Sequence, residues 1–138
     1  MIGVLLSHSF DNGIIKSIYE NNDDECCVFS TGAITPDYPI NFLQTLRVYD
    51  FKDTIVATDI PTAILTSKLN NPKKKYFYIR SLDWVGYNPL RYEELDNIYN
   101  NKELDLIVSN KKDYDIIKNL FREPERIVTN WNFSELEQ

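Results

Sequence analysis

Short apolar runs recur along the chain, separated by helical patterns, and this alternation restricts the fold more than any other feature. IGVLLS (2–7), CCVFS (26–30), TIVATD (54–59), KYFYIR (75–80), LDLIVSN (104–110) and ERIVTN (125–130) are the runs. A strand with one wet face alternates apolar and polar residues. A run apolar at nearly every position needs cover on both faces, as in a parallel sheet between helices. FDNGIIKSIYEN (10–21) sets Phe10, Ile14, Ile18 and Tyr19 on one helical face, and TAILTSKL follows Pro61 at a first helical turn. LRYEELDNIYN (90–100) groups Leu95, Ile98 and Tyr99, and KKDYDIIKNLF (111–121) turns Ile117, Leu120 and Phe121 inward. INFLQTLRVYD (40–50) is expected to be a helix through Phe42, Leu46 and Tyr49, with Val48 and Tyr49 leaving a strand open. The order is β-α repeated about five times with a closing strand, and right-handed crossovers then give a doubly wound sheet. The expectation is a single three-layer α/β/α Rossmann-like domain over residues 1–130, its mostly parallel sheet having about six strands, with a polar C-terminal tail over 131–138.

Composition narrows the function classes. A net charge of −6 argues against a broad, sequence-independent grip on nucleic acid. Lys73–Lys75 form the one basic cluster and read as solvated surface. No run approaches the ~20 apolar residues of a membrane span, and MIGVLL lacks the basic lead and length of a signal peptide, so a soluble, cytoplasmic protein is expected. Cys26 and Cys27, adjacent in a strand, point to opposite faces and are expected to be buried, reduced thiols. With His8 the single histidine, no zinc spacing exists. Abundant Asn, Ile, Lys and Tyr with scarce Gly and Ala match an AT-rich coding sequence, as in some bacteria and their phages.

In doubly wound sheets ligands bind beyond the carboxyl ends of the strands, near the switch in strand order. The candidates there are Ser7, His8, Asp11, Asn12 and Gly13 after the first run, and Thr58 and Asp59 after TIVA. Arg80, Ser81, Asp83 and Trp84 follow KYFYI, Ser109 follows LDLIV, and Asn130 follows the last run. Helix capping alone explains some of these, above all Thr58, Asp59, Ser109 and Asn110. The first loop offers free N–H groups and a helix dipole suited to an anion. His8, which titrates near neutrality, and Asp11 are the candidate acid–base residues, though a structural histidine is the bland alternative. Arg80 suits a phosphate or carboxylate, Asp83 a hydroxyl, and Trp84 a stacked sugar or base; the competing reading is an Arg80–Asp83 salt bridge under a Trp84 lid. The dinucleotide fingerprint and the P-loop are both absent, so no cofactor is assigned. No Ser-His-Asp order or carboxylate pair marks hydrolysis.

From DTIVATDIPTAILTSKL through KKYFYIRSLDW, LDLIVSNKKDYDIIKNLF and ERIVTNWNFSEL, roughly residues 50–136, the chain resembles the amino-terminal half of GT-B glycosyltransferases. The resemblance lies in a strand ending in ATD before a helix, a strand delivering the aromatic, acidic loop RSLDW, and a strand–Ser–helix–strand–Asn passage. It implies a Rossmann-like half that holds the acceptor, with the nucleotide-sugar held by a second half that has no counterpart here. By that resemblance the chain is a binding domain or one piece of a split enzyme, and inactive by itself. The implied ligand is a sugar, nucleotide or other phosphorylated molecule. A different reading is a non-catalytic interaction protein that meets a host protein or assembles with itself. In that reading Trp131 and Phe133 are exposed anchors; otherwise both fold back on the last helix. A receiver- or flavodoxin-like domain is a third reading, with Asp59 as acceptor.

Overall fold

The structure is a computed structural model that describes residues 1–6, 12–22, 26–30, 40–80 and 92–137. Its strands are β1 (Ile2–Leu5), β2 (Cys26–Ser30), β3 (Asn41–Gln44), β4 (Thr54–Ala57), β5 (Lys74–Ile79), β6 (Asp105–Val108) and β7 (Arg126–Ile127). Its helices are α1 (Asn12–Asn21), α2 (Ile60–Ser67), α3 (Tyr92–Tyr99) and α4 (Lys111–Leu120), with 3-10 helices at Thr45–Asp50 and Ser134–Glu137. All seven strands form one sheet in the order β3-β2-β1-β4-β5-β6-β7, every pair parallel. This is the expected Rossmann-like three-layer α/β domain, with one strand more than the sequence suggested.

Right-handed crossovers dictate which helix covers which face. The chain steps one way from β1 through β2 to β3, then returns and steps the other way from β4 to β7, so helices in the two halves fall on opposite faces. The packing agrees. Ile15 and Ile18 of α1 bury against Val4, Val28 and Val56, whereas Ile60 and Ala63 of α2, Leu95 and Tyr99 of α3, and Ile117 of α4 bury against Phe77, Ile79, Leu106 and Val108. The second face continues towards β2 as Leu5, Cys27, Phe29 and Ile55, closed by Val48, Phe51, Leu65 and Leu69. Gly3 is needed there, because a Cβ would stand 2.8 Å from the Phe29 ring and 3.1 Å from both Phe51 and Ile55. Cys26 and Cys27 lie in different core clusters, both buried and neither in a disulfide.

That arrangement puts none of α2, α3 and α4 on the α1 face of β5 and β6, and the segment from Trp131 to Leu136 covers it. Phe133 and Leu136 are buried with Tyr76, Tyr78 and Ile107, and Trp131 packs against them. Trp131 and Phe133 therefore fold back on the face opposite the last helix, correcting the expectation that they fold on that helix or stand out as anchors. Asn22, just past α1, holds the segment in place: its Nδ2 donates to the Trp131 carbonyl (2.7 Å) and its Oδ1 accepts from the Phe133 N–H (2.9 Å).

Residues 40–50 also differ from expectation. Asn41–Gln44 pair with β2 as an edge strand, and a 3-10 helix follows in place of an α-helix. With three residues per turn, the row through Thr45 and Val48 turns inward and Val48 is buried, while Leu46 and Tyr49 face out. Two smaller differences follow from where each helix meets the sheet. Tyr19 of α1 and Leu120 of α4 are exposed rather than inward, and Ile15 and Tyr114 pack in their stead.

Candidate functional site

The strand order reverses between β1 and β4, so the crevice that this architecture offers to ligands lies beyond the carboxyl ends of those two strands. Of the residues expected there, Ser7, His8, Asp11, Ser81, Asp83 and Trp84 lie outside the described residues. Asn12 and Gly13 form the first turn of α1, at this edge of the sheet.

Thr58 and Asp59, at the end of β4, are engaged by the fold. The Thr58 hydroxyl donates to the Leu5 carbonyl at 2.6 Å and ties β4 to β1 across the switch. Asp59 caps α2: its Oδ1 accepts from the Thr62 N–H (2.9 Å) and hydroxyl (2.8 Å), while Thr62 Oγ1 accepts from the Asp59 N–H at 3.1 Å. This reciprocal box, with Pro61 in the first turn, starts the helix where the sequence placed it. Asn110 caps α4 with a single bond to the backbone, its side chain accepting from the Asp113 N–H at 2.8 Å. Ser109 sits beside the end of β5, its N–H donating to the Ile79 carbonyl and its hydroxyl to that of Arg80, at 3.1 and 3.4 Å.

Arg80 is different. It leaves the end of β5 exposed, and among the described residues no carboxylate lies within ion-pair distance of its guanidinium. Its charged carbon stands 5.4 Å from the centre of the Trp131 ring, in cation–π range. Trp131 is itself wedged edge-on against Tyr78 and Phe133, at 5.1 and 6.2 Å between ring centres. Its backbone is left-handed, with φ of 61°, directly after Asn130 at 53°. Asparagine visits that region readily; tryptophan does so at a cost of order 1–3 kcal/mol, which the surrounding contacts must hold. The Tyr78 hydroxyl donates to the Val128 carbonyl at 2.7 Å. Burial pushes the Tyr78 phenol above its ordinary range, opposed by the Trp131 backbone and by the Arg80 charge. Arg80 thus rests on a fixed aromatic shelf, with Ser109 to one side. Asn130, exposed, directly precedes the shelf in the chain. The sequence marked Arg80 and Asn130 but not Trp131 as the partner of Arg80; no local signal could have joined them.

The basic cluster lies at the opposite, amino edge of the sheet, around a cavity of about 380 Å³ lined by Lys73, Lys74, Lys75, Lys102, Glu103 and Asp105. Lys73 pairs with Asp53 at 3.8 Å and Lys75 with Glu103 at 3.5 Å, so acids answer much of the positive charge. Among the described residues no group of three His, Cys, Asp or Glu side chains could hold a metal ion, and no helix is long and apolar enough to cross a membrane. No protein-family model matches the chain, and no curated protein or solved structure matches it either.

Proposed function

We propose that this domain binds a ligand carrying an anionic group, of the sugar, nucleotide or phosphorylated class, at the carboxyl edge of its sheet, as the acceptor half of a GT-B glycosyltransferase would. The observation that carries the reading is Arg80: an exposed guanidinium without a carboxylate partner among the described residues, over the Trp131 ring in cation–π range, one strand from the switch point. Capping and strand tying account for Thr58, Asp59 and Asn110; neither accounts for Arg80. A guanidinium carries a planar donor fork, which suits two oxygens of a phosphate or carboxylate. In this proposal Ser109 and Asn130 flank the anion, Asp83 accepts from hydroxyls and Trp84 stacks. His8 and Asp11, which follow β1 in the chain, supply acid–base groups. A group-transfer step would require a donor-binding partner chain.

The test is thermal unfolding of the protein against a panel of nucleotide-sugars, nucleotides, sugar phosphates and simple sugars. A binder must raise the midpoint, by mass action on the folded state. We expect the phosphorylated members to do so, and Arg80→Ala to remove the shift while the midpoint without ligand stays put. A flat panel, or a shift that Arg80→Ala leaves intact, overturns the assignment.

A further inference from the structure

The 3-10 helix Thr45–Asp50 is built in three rows, because three residues per turn put positions i and i+3 directly above one another. Thr45 and Val48 form the inner row, with Val48 buried against Leu5, Phe29 and Ile55. Leu46 and Tyr49 form the second row, 75% and 52% exposed, and Leu43 extends the stripe from the end of β3 at 37%. Arg47 and Asp50 form the third row, both exposed, and neither makes an ion pair among the described residues. Leu46 is the most exposed large apolar side chain among the described residues, and three of the eight such exposed side chains fall within this one short stretch. Isolated exposed apolar residues are ordinary; a row of them is not. The 3-10 helix lies over the second face of the sheet, directly after the edge strand β3, which pairs with β2 alone.

From this we infer that the Leu43–Leu46–Tyr49 stripe is a self-association surface, occupied by the same stripe of a second copy of this chain. The charge row selects that occupant. When two such helices pack antiparallel about a twofold axis, position 46 meets 49 and position 47 meets 50. Leu46 then lies against Tyr49 of the partner subunit, and Arg47 against the partner's Asp50, twice over. An isologous contact has to be self-complementary in this way. A patch with no net charge, carrying one cation and one anion in register, meets that condition without help from another protein. The carboxyl-edge site takes no part in the contact, so the dimer and the ligand site are independent.

The patch is small, so the dimer belongs at the weak end of specific interfaces and forms in the micromolar range or above. The test is sedimentation equilibrium of the full chain from about 5 µM to about 500 µM, a span that brackets such an affinity. The wild-type mass should rise towards twice the monomer. Leu46→Asp should weaken association at least about tenfold. Either charge reversal alone, Arg47→Glu or Asp50→Arg, should weaken it too, and the double reversal should restore it. Ile127→Asp, at the far edge of the sheet, should change nothing. Because these side chains are exposed, all the variants should unfold near the wild-type temperature, which circular dichroism checks. A wild-type mass that stays monomeric across the range overturns the inference. So does a dimer indifferent to Leu46→Asp, or a double reversal that fails to recover the dimer.

Discussion

Cys26 and Cys27 are chain neighbours whose thiols enter different core clusters, and the second has a consequence for stability at high pH. Burial pushes the Cys27 thiol up from 9.0 to about 11; the N-terminal ammonium opposes this and Asp53 adds to it. Below the lower value both folded and unfolded chains keep the proton, and pH has no effect through this group. Between the two values the unfolded chain gives up a proton that the folded chain retains, so folding weakens as pH rises, and the loss is complete above the folded value. Urea unfolding at about pH 8 and about pH 10 should show lower stability at the higher pH, and Cys27→Ala should remove part of that difference. An equal drop in the variant would mean the thiol is not responsible. The facing of these two cysteines was legible in the sequence, because side chains on a strand alternate whatever the surrounding fold. The shelf under Arg80 was not legible. It depends on a left-handed tryptophan distant in sequence, and no propensity places a bulky residue in that region.

At the scale of elements, α2 and α4 begin where Asp59 and Asn110 say they should, since capping is a local transaction between neighbouring residues. The end of α3 is a different matter. Arg122, just past α4, reaches back with Nε donating to the Tyr99 carbonyl at 2.8 Å, and with Nη2 donating to the carbonyls of Asn101 (2.8 Å) and Leu104. These are carbonyls at and beyond the helix end that the helix itself cannot satisfy. The site is buried enough to lower the arginine from its ordinary range, with Asp105 opposing. Arg122→Ala should therefore cost about 2–3 kcal/mol, from the loss of charge-assisted hydrogen bonds to half-buried acceptors. Arg122→Lys should recover little of it, because an ammonium lacks the fork. Both are measured by urea unfolding; a loss near zero would show that water replaces the guanidinium without penalty. Residues 40–50 misled at this same scale. Phe42, Leu46 and Tyr49 share an α-helical face on paper, but the chain there needs only an edge strand and two tight turns. The three-residue period then sends Val48 inward and the larger side chains out.

For the whole molecule, handedness explains why the C-terminal segment matters so much. With α2, α3 and α4 confined to one face, Tyr76, Tyr78 and Ile107 depend on Trp131, Phe133 and Leu136 for cover. Phe133 is buried and set edge-on to Tyr78 at 5.2 Å. Phe133→Ala should cost about 3–5 kcal/mol, as for other large core truncations, and should leave Tyr78 open to solvent in near-ultraviolet spectra. A loss under about 1 kcal/mol would mean the segment decorates the core instead of completing it.

The grip of Asn22 on this segment spans 109 residues to the Trp131 carbonyl and 111 to the Phe133 N–H. Synthesis runs from the amino end, so Asn22 leaves the ribosome early and waits for partners translated more than a hundred residues later. Until they arrive, a nascent chain carries a tyrosine-lined strip of sheet that Trp131, Phe133 and Leu136 have yet to cover. Contacts so distant in sequence also close late and slowly when the full chain refolds. The growing chain would therefore hold that strip exposed from the synthesis of β5 and β6 until Phe133 and Leu136 follow, the interval in which unfinished sheets aggregate and holding chaperones act.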